Sequence, residues 1–203
     1  LKKYVLLSLI VIAIDQAFKI WIKSTMFLGQ EIHVFGNWFI LHFTENNGMA
    51  FGMELGGSWG KLALSLFRII AVGGIFYLLK YFYDNKEPKG VLIGFSLVLA
   101  GAVGNILDSV FYGKLFSDSY GQVATFLPEG GGYADWMYGQ VVDMLWFPLF
   151  QITFPTWIPF IGGKEFEFFE PVFNIADAAI TVGMGIFIVS ELLKKEKEPE
   201  TTA

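Results

Sequence analysis

Two short stretches share one pattern, Gly104-Asn105-Ile106-Leu107-Asp108 and Phe173-Asn174-Ile175-Ala176-Asp177, each with an Asn and an Asp three residues apart. On a helix such a pair shares a face, so each stretch aims an amide and a carboxyl at the same neighbour. A third acid, Asp143, lies between them in Val141-Val142-Asp143. Two carboxyls close together in a low-dielectric site cannot both ionise easily, and one keeps its proton. The ionised partner can then take a proton from water while the other donates to a carbonyl oxygen, which hydrolyses an amide without metal or covalent intermediate. Among these acids Asp143 and Asp177 are the stronger candidates for a functional rather than a packing role. Asp108, and Asp15 further upstream, fit equally well as hydrogen-bonding groups that hold helices together.

Rival chemistries find little support. The chain has no cysteine, which excludes disulfides, thiol nucleophiles and thiolate metal sites. His33 and His42 are the only histidines, and no His-Glu-x-x-His run offers a zinc site. No metal and no cofactor is expected.

Positioning these acids falls to a greasy chain. Of its 203 residues 54% are hydrophobic and 16% charged, with 22 Phe, the composition of a membrane protein. A net charge of -5 argues against a nucleic-acid partner. Stretches at roughly 4–24, 62–83, 90–112 and 172–193 reach the 20 or so apolar residues needed to cross a bilayer. An acid in or beside such a span is a functional candidate by default. The first stretch follows Lys2 and Lys3 as a secretory signal would, yet it lacks a small-x-small cleavage site and continues past Asp15 to Ile22, so it reads as a retained span.

Basic residues set the orientation. Lys2 and Lys3, then Lys80, Lys86 and Lys89, then Lys194, Lys195 and Lys197 all fall on one side of four spans, and the positive-inside rule makes that side cytoplasmic. Both termini are then inside, and the connections 25–61 and 113–171 outside. Residues 1–194 read as a single membrane-embedded domain, followed by a charged tail over 195–203 expected to be disordered. In the first connection, strand-forming residues from Ile32 to Phe43 flank Gly36-Asn37, which predicts a tight hairpin. The second connection, rich in aromatics such as Trp136, Trp146 and Trp157, is expected to lie at headgroup level. On this reading Asp108, Asp143, Asn174 and Asp177 converge on the outer boundary of the bilayer.

Five motifs then stand in order: Asp15-Gln16, Asn46-Asn47-Gly48-Met49-Ala50-Phe51, Gly101 to Asp108, Val141-Val142-Asp143 and Phe173 to Asp177. Together they strongly resemble the lipoprotein signal peptidases, or signal peptidases II, over most of the chain. The resemblance implies an all-α membrane protein of four transmembrane helices with a small extracytoplasmic β-cradle and an interfacial helix or loop. It implies an aspartic endopeptidase of the bacterial inner membrane, with Asp143 and Asp177 catalytic. Its substrates would be prolipoproteins cut just before a diacylglyceryl-modified cysteine, in contact with membrane phospholipids and open to inhibition by cyclic peptides of the globomycin type. Asn46, Gly48, Asn105, Asp108 and Asn174 match positions that shape the site or touch substrate, and Asp15 matches a structurally important acid.

Two departures stand out. The family usually carries Arg directly after the third-span acid, where this chain has Ser109, and the segment from Gly113 to Val141 is longer than usual, as in a longer-looped branch. Arg68, the only arginine, either pairs with an acid or packs and snorkels at the bilayer edge. The alternative to a peptidase is a non-enzymatic lipid-binding scaffold or a proton-coupled carrier; a carrier should show repeated halves and a polar path to the inner face, and this sequence has neither.

Overall fold

The computed structural model describes residues 1–48, 57–168 and 171–197. Met49-Ala50-Phe51 of the second motif and residues 198–203 of the tail lie outside them. Four helices are long and apolar enough to span a membrane: α1 (Lys2–Thr25), α2 (Gly57–Asp84), α3 (Lys89–Leu107) and α4 (Ile175–Lys197). Their apolar runs satisfy every internal backbone group within the helix, as a hydrocarbon surrounding demands. Between α2 and α3 the chain turns at Lys86, in a left-handed conformation with φ 57°, and Pro88 opens α3. Lys194 bonds Glu87 at 2.7 Å, tying the end of α4 to that turn.

Helix α3 is the common neighbour of the other three. Small residues permit the close approach to α4 that membrane helices favour: a Cβ added at Gly94 would lie 2.7 Å from the Gly183 carbonyl oxygen. At its C-terminal end α3 widens into a π-helical turn over Asp108–Tyr112 before one last turn at Gly113–Leu115. Such a turn leaves carbonyls without their usual partners, and π-turns gather at functional sites. Here the segment that follows supplies donors: Gly139 N–H reaches the Ser109 carbonyl at 2.9 Å, and Met137 N–H the Val110 carbonyl at 3.1 Å.

The predicted hairpin is present as β1 (Glu31–Phe35) and β2 (Phe39–Asn46), with Gly36 at φ 53° in its turn. The second connection contributes β3 (Val141–Trp146), antiparallel to β2, which completes a sheet of order β1-β2-β3. A second hairpin, β4 (Phe150–Thr153) and β5 (Glu165–Phe168), follows. Among the described residues from 116 to 174 there is no helix, so of the expected interfacial helix or loop only strands and loops occur. Glu45 pairs with Val142, and Asn46 with Val141. Because side chains alternate across a strand, Asn46 and Asp143 project to one face of the sheet and Glu45 and Val142 to the other. That second face packs into a core with Ile22, Met26, Phe43, Phe116 and Met144.

Candidate active site

Asn174 caps the N-terminus of α4. Its side-chain oxygen accepts the Asp177 N–H at 2.9 Å, and Asp177 Oδ2 accepts the Asn174 N–H at 3.3 Å. This is a reciprocal capping box, with Asn at the cap and Asp three residues on. The spacing that marked the motif in the sequence is therefore first a helix-start device. It also leaves the Asn174 amide group free to point outward, where it donates to Asp143 Oδ1 at 2.6 Å and reaches the Val142 carbonyl at 3.2 Å.

Strand β3 is stitched to the same spot. Leu145 and Phe173 exchange backbone hydrogen bonds of 2.8 and 3.0 Å, two residues beyond Asp143 and immediately before Asn174. On the far side of Asp143, Asn46 donates to its other carboxylate oxygen. Asn105, two residues before the end of α3, donates to Asp177 Oδ1 at 2.8 Å and accepts from Asn174 at 3.1 Å. The four residues Asn46, Asn105, Asn174 and Asp143 thus form, with Asp177, one continuous hydrogen-bonded cluster. Asp143 is buried, and burial followed by the nearby Asp177 charge pushes its pKa up to about 7, against the opposing hydrogen bonds from Asn174 and Asn46 and the charge of Lys19.

Beneath this cluster lies a buried ionic network. Lys19, wholly enclosed, contacts Asp108 at 2.8 Å, Asp15 at 3.1 Å and the Asn105 side-chain oxygen at 2.9 Å. Gln16 donates to Asp108 at 2.9 Å and accepts from the Tyr112 hydroxyl at 3.1 Å. Each acid also holds a backbone group next to the cluster: Asp15 accepts the Ala176 N–H at 2.9 Å, and Asp108 the Val142 N–H at 3.2 Å. All eight candidate residues are accounted for in this way, with Gly48 at its edge. Gly48 adopts φ 80°, its N–H donates to the Asn46 side chain at 2.5 Å, and the Arg68 guanidinium donates to its carbonyl.

Lys19 was missed in the sequence, although it stands four residues after Asp15, the spacing of a helical ion pair. It supplies a cation beside Asp108, where Ser109 merely bonds back to the Asn105 carbonyl at 3.1 Å. Arg68 makes no salt bridge with an acid among the described residues. Ser65 follows Lys61 by one helical turn, the spacing of a serine–lysine pair, but its hydroxyl donates to the Lys61 and Met137 carbonyls while the Lys61 ammonium bonds Asn47 at 2.9 Å. No group of His, Cys, Asp and Glu suited to a metal ion occurs among the described residues.

A four-helix membrane bundle with two acids joined through one asparagine where α3 ends and α4 begins has the arrangement expected of a membrane protease of the aspartic class. A family model described as signal peptidase (SPase) II matches residues 7–193. Lipoprotein signal peptidase of Porphyromonas gingivalis is 51% identical over 184 residues, covering 90% of this chain and 80% of that protein. The namesake from Amoebophilus asiaticus is 37% identical over 192 residues, 93% of this chain and 77% of the relative. A bacterial membrane enzyme solved by the in meso method at 2.3 Å resolution shares the fold, with a TM-score of 0.65 and 23% identity, covering 100% of this chain and 95% of the other. The chain belongs to the signal peptidase II family, and it is a membrane aspartic protease that removes signal peptides from lipoproteins.

Proposed function

We propose that Asp143 and Asp177 are the catalytic dyad of an endopeptidase that cuts prolipoproteins just before a diacylglyceryl-modified cysteine. The observation that carries this reading is the Asn174 bridge, which donates to Asp143 while capping the helix turn that holds Asp177. The raised pKa of Asp143 fits it for the proton-bearing role, leaving Asp177 as base. Asp177 takes a proton from water as the water oxygen bonds to the scissile carbonyl carbon, and Asp143 gives its proton to the carbonyl oxygen. The resulting gem-diol collapses: one hydroxyl returns a proton to Asp143, the C–N bond breaks, and Asp177 protonates the departing amine. Asn46, Asn105 and Asn174 orient the two carboxyls; Asp15, Asp108 and Gly48 hold the strands and helices that carry them.

The remaining parts of the reading concern place. Positive residues on one side of the spans favour cytoplasmic termini and a site at the outer boundary of a bacterial inner membrane. There membrane phospholipids surround the substrate, and a globomycin-type cyclic peptide competes with it. A proton-coupled carrier has less to recommend it, because Asp15, Lys19 and Asp108 pair with one another next to the dyad instead of forming a relay along the bundle.

Incubating the purified protein with a diacylglyceryl-modified prolipoprotein should release the signal peptide, seen as a gel shift. Asp143→Asn and Asp177→Asn should each reduce this below detection while inserting and folding normally. Substantial turnover by either variant removes that residue from the dyad.

A further inference from the structure

The sheet that presents Asp143 has a second face, and a lysine is sealed beneath it. Lys23 stands one helical turn beyond Lys19 on α1 and is wholly enclosed. Its ammonium lies 2.5 Å from Glu45 Oε1 and 2.9 Å from the Ser119 hydroxyl. The Tyr133 ring is 4.9 Å from it and the Phe116 ring 5.6 Å. A lysine near the outer end of a membrane helix ordinarily extends its head to the interface. This one turns instead into the body of the protein, where Glu45, Ser119 and the surrounding rings offset its desolvation.

The partners come from two places that matter. Glu45 immediately precedes Asn46, the residue that donates to Asp143. Ser119 and Tyr133 belong to the extended segment between Gly113 and Val141, and the Tyr133 hydroxyl accepts the Gln140 N–H at 2.7 Å, one residue before β3 begins. Lys23 therefore grips both strands of the site from behind: β2 through Glu45, and the entry to β3 through Tyr133. Alternation makes that grip decisive for register, since a one-residue slip of β2 would carry Glu45 to the dyad face and Asn46 into the core.

We propose that Lys23 and Glu45 are positioning residues for the Asn46–Asp143 half of the dyad, and that the 113–140 segment is the element they dock. The inference rests on the catalytic reading above. It does not make Lys23 a participant in the chemistry, because its ammonium faces away from Asp143 across the sheet.

The experiment compares the full-length protein with Lys23→Met, Glu45→Gln, Ser119→Ala and the double variant Lys23→Met/Glu45→Leu, all against one diacylglyceryl-modified peptide. Positioning predicts a fall in kcat of about tenfold or more for Lys23→Met with KM changing less than about twofold, because small misplacements of reacting groups carry penalties of that size. Ser119→Ala, which removes one partner from the docked segment, should show the same kcat-only pattern in milder form. The double variant is informative even where a single variant fails to fold, since replacing a buried ion pair with apolar groups commonly restores stability. It should regain the wild-type Tm while kcat stays depressed. A double variant, or a folded Lys23→Met, with wild-type kcat would overturn the proposal and leave the pair a stabilising role only. Wild-type protein that fails to cut the lipidated peptide would overturn the catalytic reading itself, and this inference with it.

Discussion

Asn174 donates to Asp143 at 2.6 Å from a position fixed by its own capping of α4. A helix start and a strand separated by three loops' worth of chain are thereby held at hydrogen-bonding distance by one amide. The two jobs of Asn174 can be separated, because Ser caps a helix about as well as Asn but is too short to span to Asp143.

Asn174→Ser should therefore keep nearly wild-type thermal stability and lose activity. Leaving a buried acceptor of Asp143 unpaired costs about 1–3 kcal/mol, so kcat/KM should fall by roughly 5- to 150-fold. Tm by intrinsic fluorescence and steady-state cleavage on the same preparation check this. Equal losses in both would show that capping is the residue's main work.

The proposed role of Asp143 predicts a pH dependence with a definite sign. If it supplies the proton, cleavage should fall as pH rises through about 7, where burial and the Asp177 charge place its pKa. Asn46 stabilises the ionised form, so Asn46→Ala should move that alkaline limb to higher pH. Stability runs in the same direction: the folded state retains a proton that the unfolded chain releases from about pH 4 upward, so stability falls between about pH 4 and 7 and levels off above. Asp143→Asn should lack this slope. Rate and Tm measured from pH 5 to 9 test both statements.

Much of this site was legible before any coordinates. Long apolar runs announce spans because hydrocarbon leaves the backbone few alternatives to a helix, and the ends observed lie within a few residues of those expected. Gly36-Asn37 marked its hairpin because turn chemistry is local. The Asn–Asp spacing at 105/108 and 174/177 led to residues that the fold gathers in one place, though for a partly different reason: 174/177 is a capping box, and Asn105 bonds Asp177 of α4 while Asp108 turns to Lys19 and Val142. What could not be read was non-local. The pairing of β2 with β3 joins segments about a hundred residues apart, and the β4–β5 hairpin has aromatics that look the same in a strand as at a lipid interface. Lys19 and Lys23 were hidden because a lysine within an apolar run resembles an interfacial anchor until its acid partners are seen.

Lys19 should be the least replaceable residue outside the dyad and its asparagines. Lys19→Met leaves Asp15 and Asp108 buried without their cation, and breaking a buried pair in this way costs about 3–5 kcal/mol. The variant is expected to express poorly or melt far below wild type. Asp15→Asn and Asp108→Asn remove one acid each and keep hydrogen-bonding shape, so they should lower stability or rate without ending turnover. Thermal unfolding in detergent ranks the three; a stable Asp108→Asn protein with no cleavage at all would place Asp108 in the reaction.

Lipid on the substrate should matter more than peptide sequence. Asp108, Asp143, Asn174 and Asp177 gather where α3 ends and α4 begins, and the depth proposed for that point is the edge of the hydrocarbon region, out of reach of a peptide dissolved in water. An acyl chain gains about 0.8 kcal/mol for each CH₂ it buries in a membrane. Two such chains on the cysteine hold the preceding peptide bond at the depth of the carboxyls, whereas the unmodified peptide has no anchor there. The diacylglyceryl substrate should be cut at least about tenfold faster than the same peptide without lipid, since held orientation and proximity alone supply factors of that size or larger. The comparison is made in one detergent or bilayer at equal substrate concentration. Equal rates for the two substrates would refute the depth assigned to the site while leaving its proteolytic chemistry in place.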